Sequence, residues 1–578
     1  MLLLNRRSTL HFHFLEFNEF QRNKIMNIAE AIIKNLENIN VDVAFGGSGS
    51  GDADILFALH ASKKIRTIIT RHEQAASFMA CGYAYFSDKL GVCFATPGPG
   101  AFNLVSGLSV ALSDSLPVLA ITGFEPSYGI GKGGLGETTG LNRTPDSQTL
   151  FAAITKKTYM IEHADQACDV LEEAVNTAYE GRPGPVHIHL PFDISHDEVS
   201  NYRDIKLEIK PVEALPKEIR QFAEALSGFL IQDKKIIALV GYGCIRSNAQ
   251  TELIQLLETF QIPFMTTMDA KGIFPESHPL YLGMTGAAGD PGAKKALVDA
   301  DVVLALGNSF SKWQTWRWVD GVYNTKTLMQ INIDKQARDR VYHADYFLLS
   351  DIKLALINLL KELSLQGISR EKITINSQKH TEMPLDLKPG IIHPGTLAME
   401  IAKYLPGNSI LLGDAGSHML WLAAYVRMSK YQNYQNPGIF GPMAANVNAA
   451  IGTQLATPDR RVIVGCGDGD YQMAGFELMT AVENKIPIIW IIFNNGEYNI
   501  IKMMHLKNFN GREVYNHFLN PDFVAYAKAC GANGFRVEKI EDFGPAFESA
   551  LKDNKPSIID VVVDPDTKPP FGLFVPPQ

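Results

Sequence analysis

The stretch Arg461–Lys502 constrains the fold more tightly than any other part of the chain. It opens with the apolar, β-branched run Val462-Ile463-Val464, which suits a strand buried on both faces. The run ends in Gly465-Cys466-Gly467-Asp468-Gly469, a turn whose glycines tolerate backbone angles closed to other residues. From Tyr471 to Glu483 the apolar residues Met473, Phe476, Leu478, Met479 and Val482 recur at helical spacing. Pro487 opens a second apolar run, Ile488 to Phe493, which stops at Asn494-Asn495-Gly496. The pattern predicts a strand, a turn, a helix and a strand. A right-handed crossover lays two such strands parallel in one sheet. Their carboxyl ends then share an edge, and Asp468 and Asn495 both lie on it.

Open parallel sheets bind ligands at that edge. Gly467-Asp468-Gly469 also opens a helix, where free N–H groups and the helix dipole favour an anion such as phosphate. A carboxylate and an amide oxygen there suit a hard divalent cation that bridges to phosphate. The local physics points to a Mg²⁺-diphosphate site. The alternative is a structural Gly-Asp-Gly turn beside a polar strand end.

A length of 578 residues predicts three or four domains. The apolar content of 46% and charged content of 20% are those of an ordinary globular protein. A net charge of −9 argues against a nucleic-acid partner, and no apolar run has the length to span a bilayer. Cys81, Cys93, Cys168, Cys244, Cys466 and Cys530 form no CxxC pair, so reduced thiols in the cytoplasm are the simplest reading. Residues 1–25 differ in character from the rest of the chain and carry no small-residue cleavage site. They read as a poorly ordered extension, with Met26 as the natural start before an amphipathic helix from Ile28 to Leu36.

From Met26 onward strands and helices alternate. Val43-Ala44-Phe45 runs into the glycine-rich Gly46-Gly47-Ser48-Gly49-Ser50-Gly51, and the strand Ile65–Ile69 into Thr70-Arg71-His72-Glu73-Gln74. The helix Ala75–Phe86 is rich in small residues, so another segment must pack closely on it. Next come a strand from Gly91 to Thr96, Pro97-Gly98-Pro99-Gly100 and a helix from Asn103 to Asp114. His187 and His189 share one face of a strand; with no third ligand in view, they read as satisfied or exposed histidines rather than metal ligands. Residues 196–215 and 364–390 are polar and read as linkers around a second α/β region.

Gly467-Asp468-Gly469 with Asn494-Asn495 at this separation resembles the thiamine diphosphate signature. RHEQAASFMACGYA, ATPGPGAFNLVSGLSVALSDSLPVLAITG, Ile154-Thr155-Lys156 and GRPGPVHIHLPFDI are similar to the pyrimidine-binding domain of acetolactate synthase and its relatives. The resemblance covers most of residues 26–565. It implies three consecutive doubly wound parallel-sheet α/β domains: pyrimidine-binding over 26–195, central Rossmann-like over 216–363 and diphosphate-binding over 391–578.

It also implies roles for residues. Glu73, the glutamate of the His-Glu pair, would hydrogen-bond N1′ of the aminopyrimidine and promote the imino tautomer that removes the C2 proton. Asp468, Asn495 and the main-chain carbonyl of Glu497 would hold Mg²⁺. Ser417, His418, Gly467, Gly469, Asp470 and Tyr498 would surround the diphosphate end. Gly441 and Met443, in the segment matching the family's GGLGTMG, would meet the aminopyrimidine, the methionine bending the coenzyme. Gly47, Ser48, Ile500 and Met504 are the candidate substrate contacts. Relatives sometimes bind FAD in the central domain. The arginine-rich GxRFDDR segment of acetolactate synthases is replaced here by Gly307-Asn308-Ser309-Phe310-Ser311-Lys312-Trp313, which counts against FAD and against the usual substrate-contacting arginine; Arg317 lies nearby. The glutamine of an FQE-like motif gives way to Asn142-Arg143-Thr144, and Tyr128–Gly140 reads as a glycine-rich lid.

The implied reaction is a carboligation of acetolactate synthase type in branched-chain amino acid biosynthesis, with pyruvate as the 2-oxoacid. The changed pocket residues keep open a lyase-type alternative: a decarboxylase, aldehyde lyase or dione hydrolase on another substrate. A relative that binds cofactor without catalysis is the third reading. The family builds each site between two chains, which implies a homodimer or homotetramer.

Overall fold

A computed structural model describes residues 26–316, 318, 322–368, 370–375, 377–429 and 433–570. The extension 1–25 and Arg317 lie outside the described residues. Three six-stranded sheets succeed one another along the chain. The first contains β1 (Val43–Gly46), β2 (Arg66–Ile69), β3 (Gly91–Ala95), β4 (Val118–Phe124), β5 (Lys157–Met160) and β6 (Val186–Pro191), in the order β2-β1-β3-β4-β6-β5. The second contains β7 (Ile236–Val240), β8 (Phe264–Thr266), β9 (Tyr281–Met284), β10 (Val302–Leu306), β11 (Thr327–Asn332) and β12 (Tyr346–Leu349), in the order β12-β11-β10-β7-β8-β9. The third contains β13 (Ser409–Gly413), β14 (Asn433–Gln435), β15 (Arg461–Gly467), β16 (Ile489–Asn494), β17 (Asn533–Val537) and β18 (Ser557–Val562), in the order β14-β13-β15-β16-β18-β17.

Neighbouring strands run parallel within each sheet. The first and third sheets have the same strand order. The second has the order of a Rossmann fold, which reverses between β7 and β10. A cavity of about 490 Å³ opens at that switch point, lined by Tyr242, Arg246, Gly307 and Asn332 and by Asp114 and Arg182 from the first region.

Both faces of the sheets are covered, as their unbroken apolar strands require. In the first sheet Ala44, Val92, Phe94, Leu119 and Ile121 pack with the helices Ile28–Asn38 and Ala167–Tyr179. Val43, Phe45, Cys93 and Val118, on the other face, belong to a core that also contains Ile410, Val462, Val464 and Trp490 of the third sheet. Two helices, Glu73–Ser87 and Ala445–Ala456, join these sheets through that core. A Cβ at Gly82 would lie 2.2 Å from the Ala449 carbonyl oxygen, and one at Gly452 would lie 1.9 Å from that of Met79. The small residues of the first helix are there because two backbones touch.

The β15–helix–β16 unit forms as its sequence predicts, with the two strands paired in parallel from Ile463–Ile489 to Gly467–Phe493. Its helix is two helices, Asp468–Ala474 and Glu477–Glu483, separated at Gly475. The predicted Asn103–Asp114 helix forms as Val105–Ser113, with a short helix Pro99–Asn103 before it. His187 and His189 are buried; His187 meets Thr122 Oγ1 at 2.9 Å and Thr158 Oγ1 at 3.0 Å and stacks on Phe151. The Tyr128–Gly140 segment is tied to itself by Glu137, which accepts the N–H groups of Gly131, Gly133 and Gly134.

Candidate active site

Seven chain segments line a cavity of about 330 Å³ at the carboxyl edge of the third sheet, and four of them supply the predicted residues. The turn after β15 contributes Gly467, Asp468, Gly469 and Asp470, and the turn after β16 contributes Asn495, Glu497 and Tyr498. The start of the helix Ser417–Tyr425 adds Ser417 and His418, the loop before the helix Ala445–Ala456 adds Gly441 and Met443, and Ile500 and Met504 stand on the helix Asn499–Asn508. The predicted diphosphate, metal and ring-contacting residues of this third region thus share one cavity. Glu73, Gly47 and Ser48 do not line it.

Asp468 is almost fully buried. Its Oδ1 accepts the Gly469 N–H at 2.9 Å; its Oδ2 accepts those of Asn495 at 3.1 Å and Gly496 at 2.7 Å, and the Asn520 amide at 2.7 Å. These bonds lock the β15 turn to the β16 turn. Burial nevertheless pushes its carboxyl above the usual carboxylate range. The Glu497 carboxylate is engaged by Lys502 at 2.8 Å and Asn499 at 3.0 Å, so the main-chain carbonyl is the part of Glu497 left for a ligand. That carbonyl accepts the Asn499 N–H at 3.0 Å and keeps a second lone pair. Among the described residues no group of three or more His, Cys, Asp or Glu side chains is arranged to hold an ion. A divalent cation held by one carboxylate, one amide and one carbonyl needs phosphate oxygens and water to complete its shell.

The glycines act through space rather than backbone angle. Gly467 has φ −76° and ψ 160°, open to any residue, which corrects the reading of this turn from sequence. A Cβ on Gly469 would come within 2.6 Å of the Tyr498 ring, and one on Gly467 within 3.2 Å of His418. The strained backbone lies nearby: Ala444, directly after Met443, has φ +69°. Beneath the turns, Asp470 and His418 are buried and approach to 3.2 Å. Burial, then the Asp414 charge, drives the Asp470 carboxyl well up, and burial brings the His418 imidazole down to about 3. His418 Nε2 and Asp470 Oδ1 are buried without a hydrogen-bond partner. A cradle of glycines with unpaired polar atoms in its wall fits an anionic, hydrogen-bonding ligand end.

Glu73 stands at the carboxyl edge of the first sheet, as the first residue of the helix Glu73–Ser87. Its Oε2 accepts the Asn103 amide at 2.9 Å, and its Oε1 lies 3.0 Å from where a Gly47 Cβ would be. The glycine-rich loop after β1 is thus the wall of the Glu73 site. The backbone entering the helix is held from the third region: buried Glu477 accepts the N–H groups of Arg71 at 2.9 Å and His72 at 3.0 Å. Asn103, Glu477, Asn520, Trp313 and Thr567 escaped the reading from sequence. The last two line the cavity from remote segments and left no local signal.

Three family models match the chain in order: the thiamine pyrophosphate enzyme N-terminal TPP binding domain over residues 26–144, the central domain over 221–359 and the C-terminal TPP binding domain over 414–561. The chain belongs to the thiamine pyrophosphate enzymes. Among similar proteins, the probable acetolactate synthase large subunit of Methanococcus aeolicus is 33% identical, over 94% of this chain and 93% of that protein. The acetolactate synthase large subunits of Corynebacterium glutamicum and Lactococcus lactis subsp. lactis are 31% and 30% identical, over 88% and 92% of their own lengths. In this thiamine pyrophosphate enzyme, Glu73 and the Asp468 cavity stand on two sheets of equal topology. Among its described residues no helix is long and apolar enough to cross a membrane.

Proposed function

We propose that this chain is an acetolactate synthase-like carboligase. It would decarboxylate a 2-oxoacid such as pyruvate and transfer the two-carbon unit to a second carbonyl, using thiamine diphosphate and Mg²⁺. One observation carries the reading beyond the relatives' names. A single cavity unites Asp468, Asn495, His418 and Met443 with the candidate substrate contacts Ile500 and Met504. Bound thiamine diphosphate supplies the electron sink. The chain supplies the rest. Asp468, Asn495 and the Glu497 carbonyl hold the cation, while Ser417, His418, Gly467, Gly469, Asp470 and Tyr498 enclose the diphosphate. Gly441 and Met443 meet the aminopyrimidine, Glu73 holds a proton at N1′, and Gly47 and Ser48 stand beside it toward substrate. The boundaries 26–195, 216–363 and 391–578 enclose the three sheets as domains.

Glu73 stands outside the cavity of its own chain, which supports a site completed by a second copy, in a homodimer or homotetramer. Exposed apolar side chains near the two half-sites, Leu135, Phe476, Tyr515 and Leu519, support the same reading. Light scattering on the purified protein would show at least a dimer. The six cysteines are free, in keeping with a cytoplasmic enzyme. The central cavity stands where FAD or another nucleotide would lie. With Gly307–Trp313 in place of an arginine-rich segment, an absorbance scan at flavin wavelengths is expected to show no bands.

The test is direct. Purified protein given pyruvate, Mg²⁺ and thiamine diphosphate should form acetolactate; CO₂ with only free aldehyde would refute carboligation. One observation favours the lyase-type alternative: no arginine or lysine lines the cavity among the described residues, while Trp313 does. Turnover of a bulkier 2-oxoacid or 2-hydroxyketone in preference to pyruvate would establish that alternative.

A further inference from the structure

Four hydrogen bonds bear on the direction of the Glu73 carboxylate, and three of them come from backbone N–H groups. Glu477 holds the N–H groups of Arg71 and His72, and the His72 ring accepts the Gln74 N–H at 3.2 Å. The helix entry is thereby fixed on both sides of Glu73. What remains free is the side chain, with three torsions and a carboxylate that can rotate. The fourth bond acts there: Asn103 Nδ2 lies 2.9 Å from Glu73 Oε2. A carboxylate oxygen accepts, so the amide presents its N–H group and not its carbonyl. Asn103 is the last residue of the short helix Pro99–Asn103, which comes after β3. Oε1 lies against the gaps left by the absent side chains of Gly47 and Gly100, 3.0 and 3.2 Å from where their Cβ atoms would be.

We infer that Asn103 is a positioning residue: by donating to one oxygen of Glu73 it fixes the carboxylate plane and leaves the other oxygen to meet the coenzyme ring. The inference rests on the thiamine diphosphate reading above. Proton transfer at a ring nitrogen requires the acid within hydrogen-bond reach and in line. A carboxylate free to rotate spends most of its time out of line, and errors of an ångström in such groups slow reactions steeply. Asn103 itself need touch neither coenzyme nor substrate.

The test uses the full-length protein saturated with thiamine diphosphate and Mg²⁺, and tracks hydrogen–deuterium exchange at C2 of the bound coenzyme. Asn103→Leu keeps the branched shape and removes the donor without adding a charge. Exchange should slow by about 10- to 100-fold, while the coenzyme Kd measured by calorimetry and the Tm stay near those of the wild type. Asn103→Ser, which keeps a shorter hydroxyl donor, should recover part of the rate. Wild-type exchange in Asn103→Leu would overturn the inference, and so would a fall in Tm with unchanged exchange in the folded fraction. If Asn103→Leu fails to fold, Asn103→Ser and Asn103→Ala carry the comparison, with the alanine variant expected to be the slower of the two; equal rates would overturn it. Should the wild type bind no coenzyme or show no C2 exchange, the coenzyme reading fails instead, and the two failures are told apart.

Discussion

The first and third sheets share one strand order, yet they hold their functional groups by different means. In the third region the group that matters is anchored by backbone: Asp468 is fixed by the N–H groups of Gly469, Asn495 and Gly496, within one β-α-β unit. In the first region Glu73 is held by a side chain, Asn103, and its helix entry by Glu477 from the other end of the chain. The same topology therefore supports a rigid cradle at one site and an adjustable arm at the other. The difference suits the proposed tasks, since a diphosphate grip benefits from backbone rigidity and a proton-transfer group must be aimed.

The largest expected effect breaks this comparison at the arm. Glu73→Gln should slow C2 exchange by at least about 100-fold while coenzyme binding, read by calorimetry, stays within a few-fold; undiminished exchange would separate Glu73 from the chemistry. Asp468→Ala strikes the cradle instead. It should weaken Mg²⁺-dependent coenzyme binding by about 10- to 100-fold, with C2 exchange restored at saturating cofactor. Binding as tight as in the wild type would mean that the third region does not hold the diphosphate.

A pH series sharpens the contrast. Each region buries a carboxyl pushed up to about 7 by desolvation: Asp52 beside the Gly47 loop and Asp414 beneath the cradle. Asp414 accepts the N–H groups of Ala415 at 2.7 Å and Val447 at 3.0 Å, whereas Asp52 makes no well-formed hydrogen bond and is approached only loosely by the Gly49 N–H and its own. A carboxyl whose folded value is raised contributes fully below its unfolded value and loses that contribution as pH climbs from about 4 to about 7. Asp52→Asn should therefore match the wild type below pH 4 and exceed its stability above pH 7, by on the order of 2–4 kcal/mol. Asp414→Asn should gain little or lose, because an amide cannot accept from both backbone donors without turning its own N–H groups on one of them. Thermal melts across pH check both signs, and equal behaviour would erase the distinction.

The smallest effects test the glycines. Gly469→Ala drives a Cβ into the Tyr498 ring and should cost about 1–3 kcal/mol of stability. Gly47→Ala meets only the Glu73 side chain, Oε1 at 3.0 Å and Cγ at 3.2 Å, which can shift by a few tenths of an ångström, so its melt should move less while C2 exchange slows several-fold. A stability loss at Gly47 as large as that at Gly469 would show that the arm is as rigid as the cradle.

The legible parts of the molecule were those that depend on neighbours along the chain. The alternation of apolar runs with turns announced the parallel sheets, and the Asp468-to-Asn495 unit announced the sheet edge on which those two residues meet. The small-residue face of the helix Glu73–Ser87 foretold a close partner without naming the helix Ala445–Ala456. The glycine at 467 was legible but its reason was not: it leaves room beside Asp470 and His418, and room depends on what folds against it. The break at Gly475 was hidden because the apolar spacing runs through it. Asn520 and Trp313 join the site from distant segments, and nothing in their local sequence marks that convergence.

By itself the sequence determined that this chain forms parallel α/β sheets and that Asp468 and Asn495 share one sheet edge near its carboxyl end, because strand burial, helix periodicity and turn chemistry act over short separations. Only the tertiary structure decided that the first and third sheets share one core, that Glu477 reaches back to hold the entry to Glu73, and that Glu73 stands apart from the Asp468 cavity of its own chain. Those facts arise from how two helices of small side chains cross. Such a crossing depends on shape in three dimensions, to which no stretch of sequence alone has access.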